Sequence, residues 1–146
     1  MTIDIRLLGE DDAHVLDNVA EDVFDFAIVP DMAKRFLKSR SHHIAVAIED
    51  GTVVGMASAN EYLHPDKPVQ IWVNEMGVAK SHRQRGIGKK LLRRILDLAE
   101  ERGFEEIWLG TEDDNTAARA LYRSAGGEEE SFVMYSWEFG KKDGRE

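Results

Sequence analysis

Arg83-Gln84-Arg85-Gly86-Ile87-Gly88 sets two glycines among basic side chains. The stretch joins an apolar segment, Val69 to Val78, to an amphipathic one, Ile87 to about Arg102. Such a junction predicts a loop of free backbone N–H groups at a helix N-terminus, which is a site for a phosphate anion. The helix dipole adds about half a positive charge there. Gly86 and Gly88 carry no Cβ to hold an anion off the backbone. Arg83, Arg85, Lys89 and Lys90 either assist the anion or are solvated surface groups. Two other phosphate loops are excluded. A P-loop needs Gly-Lys followed by Ser or Thr and an earlier Gly at position 83, but the chain has Lys90 and Arg83. A dinucleotide loop needs a third Gly where Leu91 stands.

Other residues able to do chemistry lie on either side. In strict alternation Glu75 falls on the face of Val69, Ile71 and Val73, and a carboxylate on an apolar face needs a partner or a purpose. Tyr122 continues the apolar face of a helix, which suits a core tyrosine and a proton donor equally. Asn115 is a favoured helix N-cap. The acidic groups Glu112-Asp113-Asp114 and Glu128-Glu129-Glu130 flank the Tyr122 helix, as solvated loops or as a cradle for a cationic molecule; Glu61 is a further acceptor. No metal site is expected: His42 and His43 are adjacent, His14, His64 and His82 isolated, and cysteine absent. No Gly-x-Ser-x-Gly elbow occurs.

The elements that must position these residues follow from periodicity. Ile3 to Leu7 alternates as a strand. Ala13, Leu16, Val19, Ala20, Val23 and Phe24 recur at helical spacing, and Pro30 opens a second short helix. His43 to Glu49 alternates again, Asp50-Gly51 signals a hairpin, and Thr52 to Tyr62 returns. A loop over 64–68 precedes the strand Val69 to Val78, where Gly77 suggests a bulge. The helix from Ile87 ends at Gly103. A strand at Ile107 to Leu109, a helix from Asn115 to Gly126 and a last strand over Ser131 to Phe139 complete the chain. The expected fold is α/β of the α+β type: a central, mostly antiparallel mixed sheet with helices on both faces. A single domain over residues 1–146 is expected, with 140–146 frayed.

Composition sets the outer limits. The chain has 146 residues, 42% hydrophobic and 32% charged, and a net charge of -9. That balance predicts a soluble globular domain and argues against duplex nucleic acid as a partner. It would attract a cationic substrate, or simply keep the chain soluble. No apolar run reaches the length of a membrane span and no basic leader precedes Ile3. With no cysteine, this fits a reducing cytoplasm.

Two motifs at this separation and on these elements resemble the GNAT superfamily of acetyl-CoA-dependent N-acetyltransferases. One is Arg83-Gln84-Arg85-Gly86-Ile87-Gly88; the other is Asn115, Ala118, Leu121 and Tyr122, followed by Gly126. The resemblance covers Val69 to Phe139. Asn74-Glu75-Met76-Gly77-Val78, Ala120-Leu121-Tyr122 and the tail from Glu128 to Tyr135 are further similar to GNAT-type aminoglycoside 3-N-acetyltransferases. The resemblance implies that Arg83, Gln84, Arg85, Gly86, Ile87, Gly88 and Lys89 hold the pyrophosphate of CoA. It places the pantetheine arm against the backbone of Met76 and Val78, in a splay between the fourth and fifth strands, with Asn115 in contact. It makes Glu75 the base that takes the amine proton, directly or through water, and Tyr122 the acid that gives a proton to the departing sulfur. A strand N–H near Val78 would stabilise the oxyanion. The implied acceptor is a small cationic amine such as an aminoglycoside, held by Glu61, Glu112, Asp113 and Asp114. The alternatives are a peptide amine, or CoA binding without turnover. A homodimer follows from family habit.

Overall fold

A computed structural model of the protein describes residues 2–140. Five strands form one sheet in chain order: β1 (Asp4–Leu7), β2 (His42–Glu49), β3 (Thr52–His64), β4 (Lys67–Val78) and β5 (Ile107–Trp108). The first three pairings are antiparallel and β4–β5 is parallel. Three α-helices complete the frame: α1 (Pro30–Lys38), α2 (Ile87–Arg102) and α3 (Thr116–Ser124).

Local chemistry accounts for most boundaries. Asp50 and Gly51 both have positive φ, 51° and 78°, which is the turn a two-residue β2–β3 hairpin requires. Pro30 sits in the first turn of α1. Gly103, at φ 75°, closes α2 by donating to the carbonyl of Glu100.

One face of the sheet is floored by small residues, and α2 lies on it. A Cβ built at Gly55 would stand 3.1 Å from Leu91 Cδ1, so the absent side chain lets the helix descend onto β3. Leu91 and Ile95 are consequently fully buried. The opposite face receives α1 and a three-ten helix over Glu10–Asp17.

Three expectations need correction. The apolar spacing through Phe24 does not continue a helix. After Asp17 the chain crosses β3, where Ala20 N–H donates to the Val53 carbonyl and Val53 N–H to that of Asn18. Asn18 also bonds Thr52 Oγ1, and Asp22 adopts a left-handed φ of 68°, which ends any helix. The loop expected over 64–68 is a tighter turn, because β3 reaches His64 and β4 starts at Lys67. The strand expected over Ser131–Phe139 is absent. No β-ladder forms over these residues, and Phe132, Val133, Met134, Tyr135, Trp137 and Phe139 are all exposed. The expected fraying of 140–146 falls almost wholly outside the described residues.

Candidate active site

The loop before α2 has the geometry of an anion cradle. Gln84 and Gly86 take left-handed φ values of 64° and 78°. Gly86 is the N-cap of α2 and no side chain caps it. The first intrahelical bond runs from Lys90 N–H to Gly86 O, so the N–H groups of Ile87, Gly88 and Lys89 have no partner within the helix. A Cβ at Gly86 would meet nothing within 4 Å, so the approach to these donors is open. Arg83, Arg85 and Lys89 surround it and are exposed. Gly88 has a different reason: its absent Cβ would lie 3.1 Å from Leu121 Cδ1, and the glycine lets α2 pack against α3. The loop is tied down on its N-terminal side. His82 Nε2 lies 2.6 Å from Glu49 Oε1, and that contact holds the Glu49 carboxyl below the usual carboxylate range. Arg83 Nε donates to the Val78 carbonyl at 2.9 Å.

The strand feeding the loop opens toward β5. The two strands pair only at Ile71–Ile107 and Trp72–Trp108, while β4 continues to Val78. This is the splay expected between the fourth and fifth strands. Ala79 N–H donates to Val54 O on the β3 side. Backbone groups alternate along a strand, so the N–H groups of Met76 and Val78 point the other way, into the opening. A slot lined by free strand donors, with an anion cradle at its end, fits a pantetheine arm and its pyrophosphate.

A bulge decides where Glu75 goes. Ser58 pairs with Glu75 but Ala59 pairs with Val73, leaving Asn74 as the extra residue of β4. The bulge expected at Gly77 is therefore three residues earlier. It turns Glu75 off the face of Ile71 and Val73, where strict alternation would put it, and onto the opposite face beside Ser58 and Ile44. Glu75 is exposed there and has no ion pair among the described residues. Gly77 instead permits a close crossing, since a Cβ on it would lie 2.1 Å from the Val23 carbonyl oxygen.

Tyr122 approaches β4 from the other face. Its hydroxyl lies 3.8 Å from Met76 Sδ, and burial raises its pKa above 10. Base and acid candidates thus flank consecutive β4 residues from opposite sides of the sheet.

Glu75 lies on the floor of a cleft of about 710 Å³. Phe24, Phe26, Val29, Met32 and Phe36 wall it, with Asp25 and Arg35 as the other charged groups. Phe26, Val29 and Met32 are 86%, 57% and 56% exposed, so the wall is an open apolar surface. The sequence reading missed this wall. Its signal was the run Phe24-Asp25-Phe26-Ala27-Ile28-Val29, which helical periodicity absorbed.

Asn115 is the N-cap of α3, its Oδ1 accepting from Ala118 N–H at 3.1 Å. None of the acidic residues expected around the acceptor lines this cleft. Glu61 is on the α2 face, 2.9 Å from His43 Nε2 and 3.6 Å from Arg102. Glu112, Asp113 and Asp114 are exposed before α3 and do not line the cleft. Glu129 is held by Arg119 and Arg123, which lower its pKa to about 2. Among the described residues no cluster of His, Asp or Glu suits a metal, and no helix is long and apolar enough to cross a membrane.

Comparison with known proteins bears on the family and the fold. The chain is 40% identical over 97 residues to the N-alpha-acetyltransferase RimI of Mycobacterium tuberculosis, covering 66% of this chain and 59% of that protein. It is 32% identical over 108 residues to N-acetyltransferase family 8 member 3 of Mus musculus, covering 73% and 48%. The chain thus spans about half the length of these relatives. Among solved structures, an aminoglycoside acetyltransferase from an uncultured soil metagenomic sample superposes with a TM-score of 0.80 at 20% identity, covering 94% of this chain and 97% of that one. At that identity the likeness concerns the fold. A ribosomal-protein-alanine N-acetyltransferase from Brucella melitensis gives 0.71 at 26% identity, covering 95% and 100%. The model of the acetyltransferase (GNAT) family matches residues 13–126, from the three-ten helix to the end of α3, and this chain belongs to that family.

Proposed function

We propose that this chain transfers an acetyl group from acetyl-CoA to the primary amine of an acceptor with an apolar body, of the class of a peptide α-amine. The observation that carries the reading is the composition of the cleft above Glu75. Its walls are aromatic and aliphatic, and its charged groups are two acids and one base, Asp25, Glu75 and Arg35. A polycation would leave most of its charges beside apolar surface, whereas a single amine on an apolar residue matches both floor and wall.

Acetyl-CoA supplies the acyl group as an activated thioester. The Gly86 cradle and Arg83, Gln84, Arg85 and Lys89 bind its pyrophosphate. Met76 and Val78 offer backbone N–H groups to the arm, and a strand N–H near Val78 donates to the thioester oxygen. Asn115, the N-cap of α3, is the further contact to the arm. An alkyl amine is mostly protonated at pH 7. Glu75 takes its proton, directly or through a water, and frees the lone pair for attack. The N–C bond forms, the C–S bond breaks, Tyr122 gives its phenolic proton to the departing sulfur, and the second proton leaving the nitrogen restores the phenol through solvent. Burial keeps that phenol protonated at neutral pH.

A second reading, 3-N-acetylation of an aminoglycoside, is favoured by the segments Asn74–Val78 and Glu128–Tyr135 and by the net charge of -9. One experiment separates them. Acetyl-CoA consumption is measured with short peptides bearing apolar N-terminal residues and, separately, with gentamicin-type aminoglycosides, and the product is weighed by mass spectrometry. Turnover on peptides supports the proposal; turnover on aminoglycosides alone supports the second reading. CoA binding with no turnover on either leaves a binding module.

A further inference from the structure

The floor of the cleft does not stop at Glu75. Residues opposed in register share a face of the sheet. Ile44, Ser58 and Glu75 form one row across β2, β3 and β4. The next row, about 7 Å further along the strands, is His42, Asn60, Trp72 and Trp108. Glu75 and Trp72 are successive β4 residues on this face across the Asn74 bulge, so the two rows adjoin; the cleft lining itself reaches the second row at His42. At its outer end the indoles of Trp72 and Trp108 stack, with ring centroids 5.9 Å apart and planes at 22°. Trp108 is 37% exposed and belongs to the last strand of the sheet. Neither indole makes a hydrogen bond among the described residues, and Trp72 is half-buried beside the exposed Trp108.

We infer that the stacked Trp72–Trp108 pair is an acceptor subsite, which takes the residues following the acetylated amine of a peptide. The inference rests on the acceptor reading above. Its physical basis is continuity. A peptide with its amine at Glu75 and its first side chain against Phe24 and Phe36 can run along the sheet face over the row that ends in the indoles. A flat aromatic pair buries a large area of peptide at small entropic cost and accepts many side chains. The row carries no charged group beyond a protonatable His42. The subsite therefore selects by length and apolar contact rather than by charge.

The test compares two acceptors sharing one N-terminal residue, an amino-acid amide and a tetrapeptide, on the full chain and on Trp108→Ala and Trp108→Phe. Trp108→Ala should raise KM for the tetrapeptide about tenfold. Its KM for the amide and for acetyl-CoA should stay within twofold, and kcat should be retained. Trp108→Phe should restore most of the tetrapeptide affinity. A merely structural role for the indole would move both acceptors together. Equal changes for both, or none, overturn the subsite while leaving the acceptor reading intact. No peptide turnover by the unaltered protein overturns the acceptor reading and the subsite with it.

Discussion

Gly77→Ala tests the link between the sheet and the acceptor wall. The added Cβ would sit 2.1 Å from the carbonyl oxygen of Val23, against a closest approach of 3.0 Å for real Cβ atoms. Roughly 0.9 Å must be found by moving backbone, because a carbonyl cannot rotate away as a side-chain tip can, and Val23 is buried. Overpacking of that kind costs about 3 kcal/mol. Gly77 does not have a positive φ, so alanine is conformationally allowed there and returns up to about 1 kcal/mol through the unfolded chain. The net loss is about 2 kcal/mol, or about 7 °C in Tm for a domain of this size. Gly55→Ala is the graded comparison. Its Cβ would meet side-chain ends, Leu91 Cδ1 and Ile87 Cγ2, at 3.1 and 3.2 Å, and these can yield. Thermal unfolding followed by circular dichroism measures both. Because Val23 leads into Phe24 to Val29, Gly77→Ala should also raise KM for the acceptor more than KM for acetyl-CoA. A Tm equal to or above that of the unaltered protein, with an unchanged acceptor KM, would refute the reasoning.

The remaining expectations concern the acid, the cradle and the tail. Tyr122→Phe should lower kcat by about 10² or more while leaving CoA affinity within a few-fold, read by steady-state kinetics and calorimetry. Since burial raises the Tyr122 pKa above its ordinary value of 10.0, the midpoint of any alkaline loss of kcat from this group should lie above pH 10. Gly86→Ala meets no steric block but forces a left-handed φ on alanine, at about 1–2 kcal/mol; KM for acetyl-CoA should rise and acceptor KM should not. Arg119 and Arg123 depress the Glu129 pKa to about 2, so its contribution to stability is present above its ordinary value of 4.5 and is lost as pH falls toward 2. Glu129→Gln should flatten that part of the acid-unfolding curve, and an unchanged curve would count against the pairing.

Much of the frame is legible in the residues because local chemistry dictates it. Asp50-Gly51 needs positive φ, Gly103 closes a helix, Asn115 caps one, and the Leu91–Ile95 stripe must be buried. The cradle at Gly86 belongs to the same class. What the sequence hides is set by contacts distant along the chain. The Asn74 bulge exists only in the pairing of β4 with β3, and it reverses the face on which Glu75 stands. Leu16 and Val23 are buried as helical spacing suggests, yet strand contacts at Val53 and a left-handed Asp22 hold Val23 in a loop. The segment Phe132 to Phe139 has strong strand propensity, but propensity needs a neighbour, and β5 ends after two residues. Acidic side chains at Glu61 and Glu112–Asp114 are legible as charge, but their partners are not: Glu61 meets His43 and Arg102, and the cleft at Glu75 is walled by aromatic residues.

The central claim is that Glu75 acts on the amine from the cleft face while the cradle holds acetyl-CoA independently. Glu75→Gln measures it most directly, with turnover at pH 7 and CoA affinity determined on the same preparation. The account predicts that kcat/KM for the amine falls by about 10² or more, with the Kd for CoA unchanged. Full turnover, or loss of CoA binding together with turnover, would contradict it.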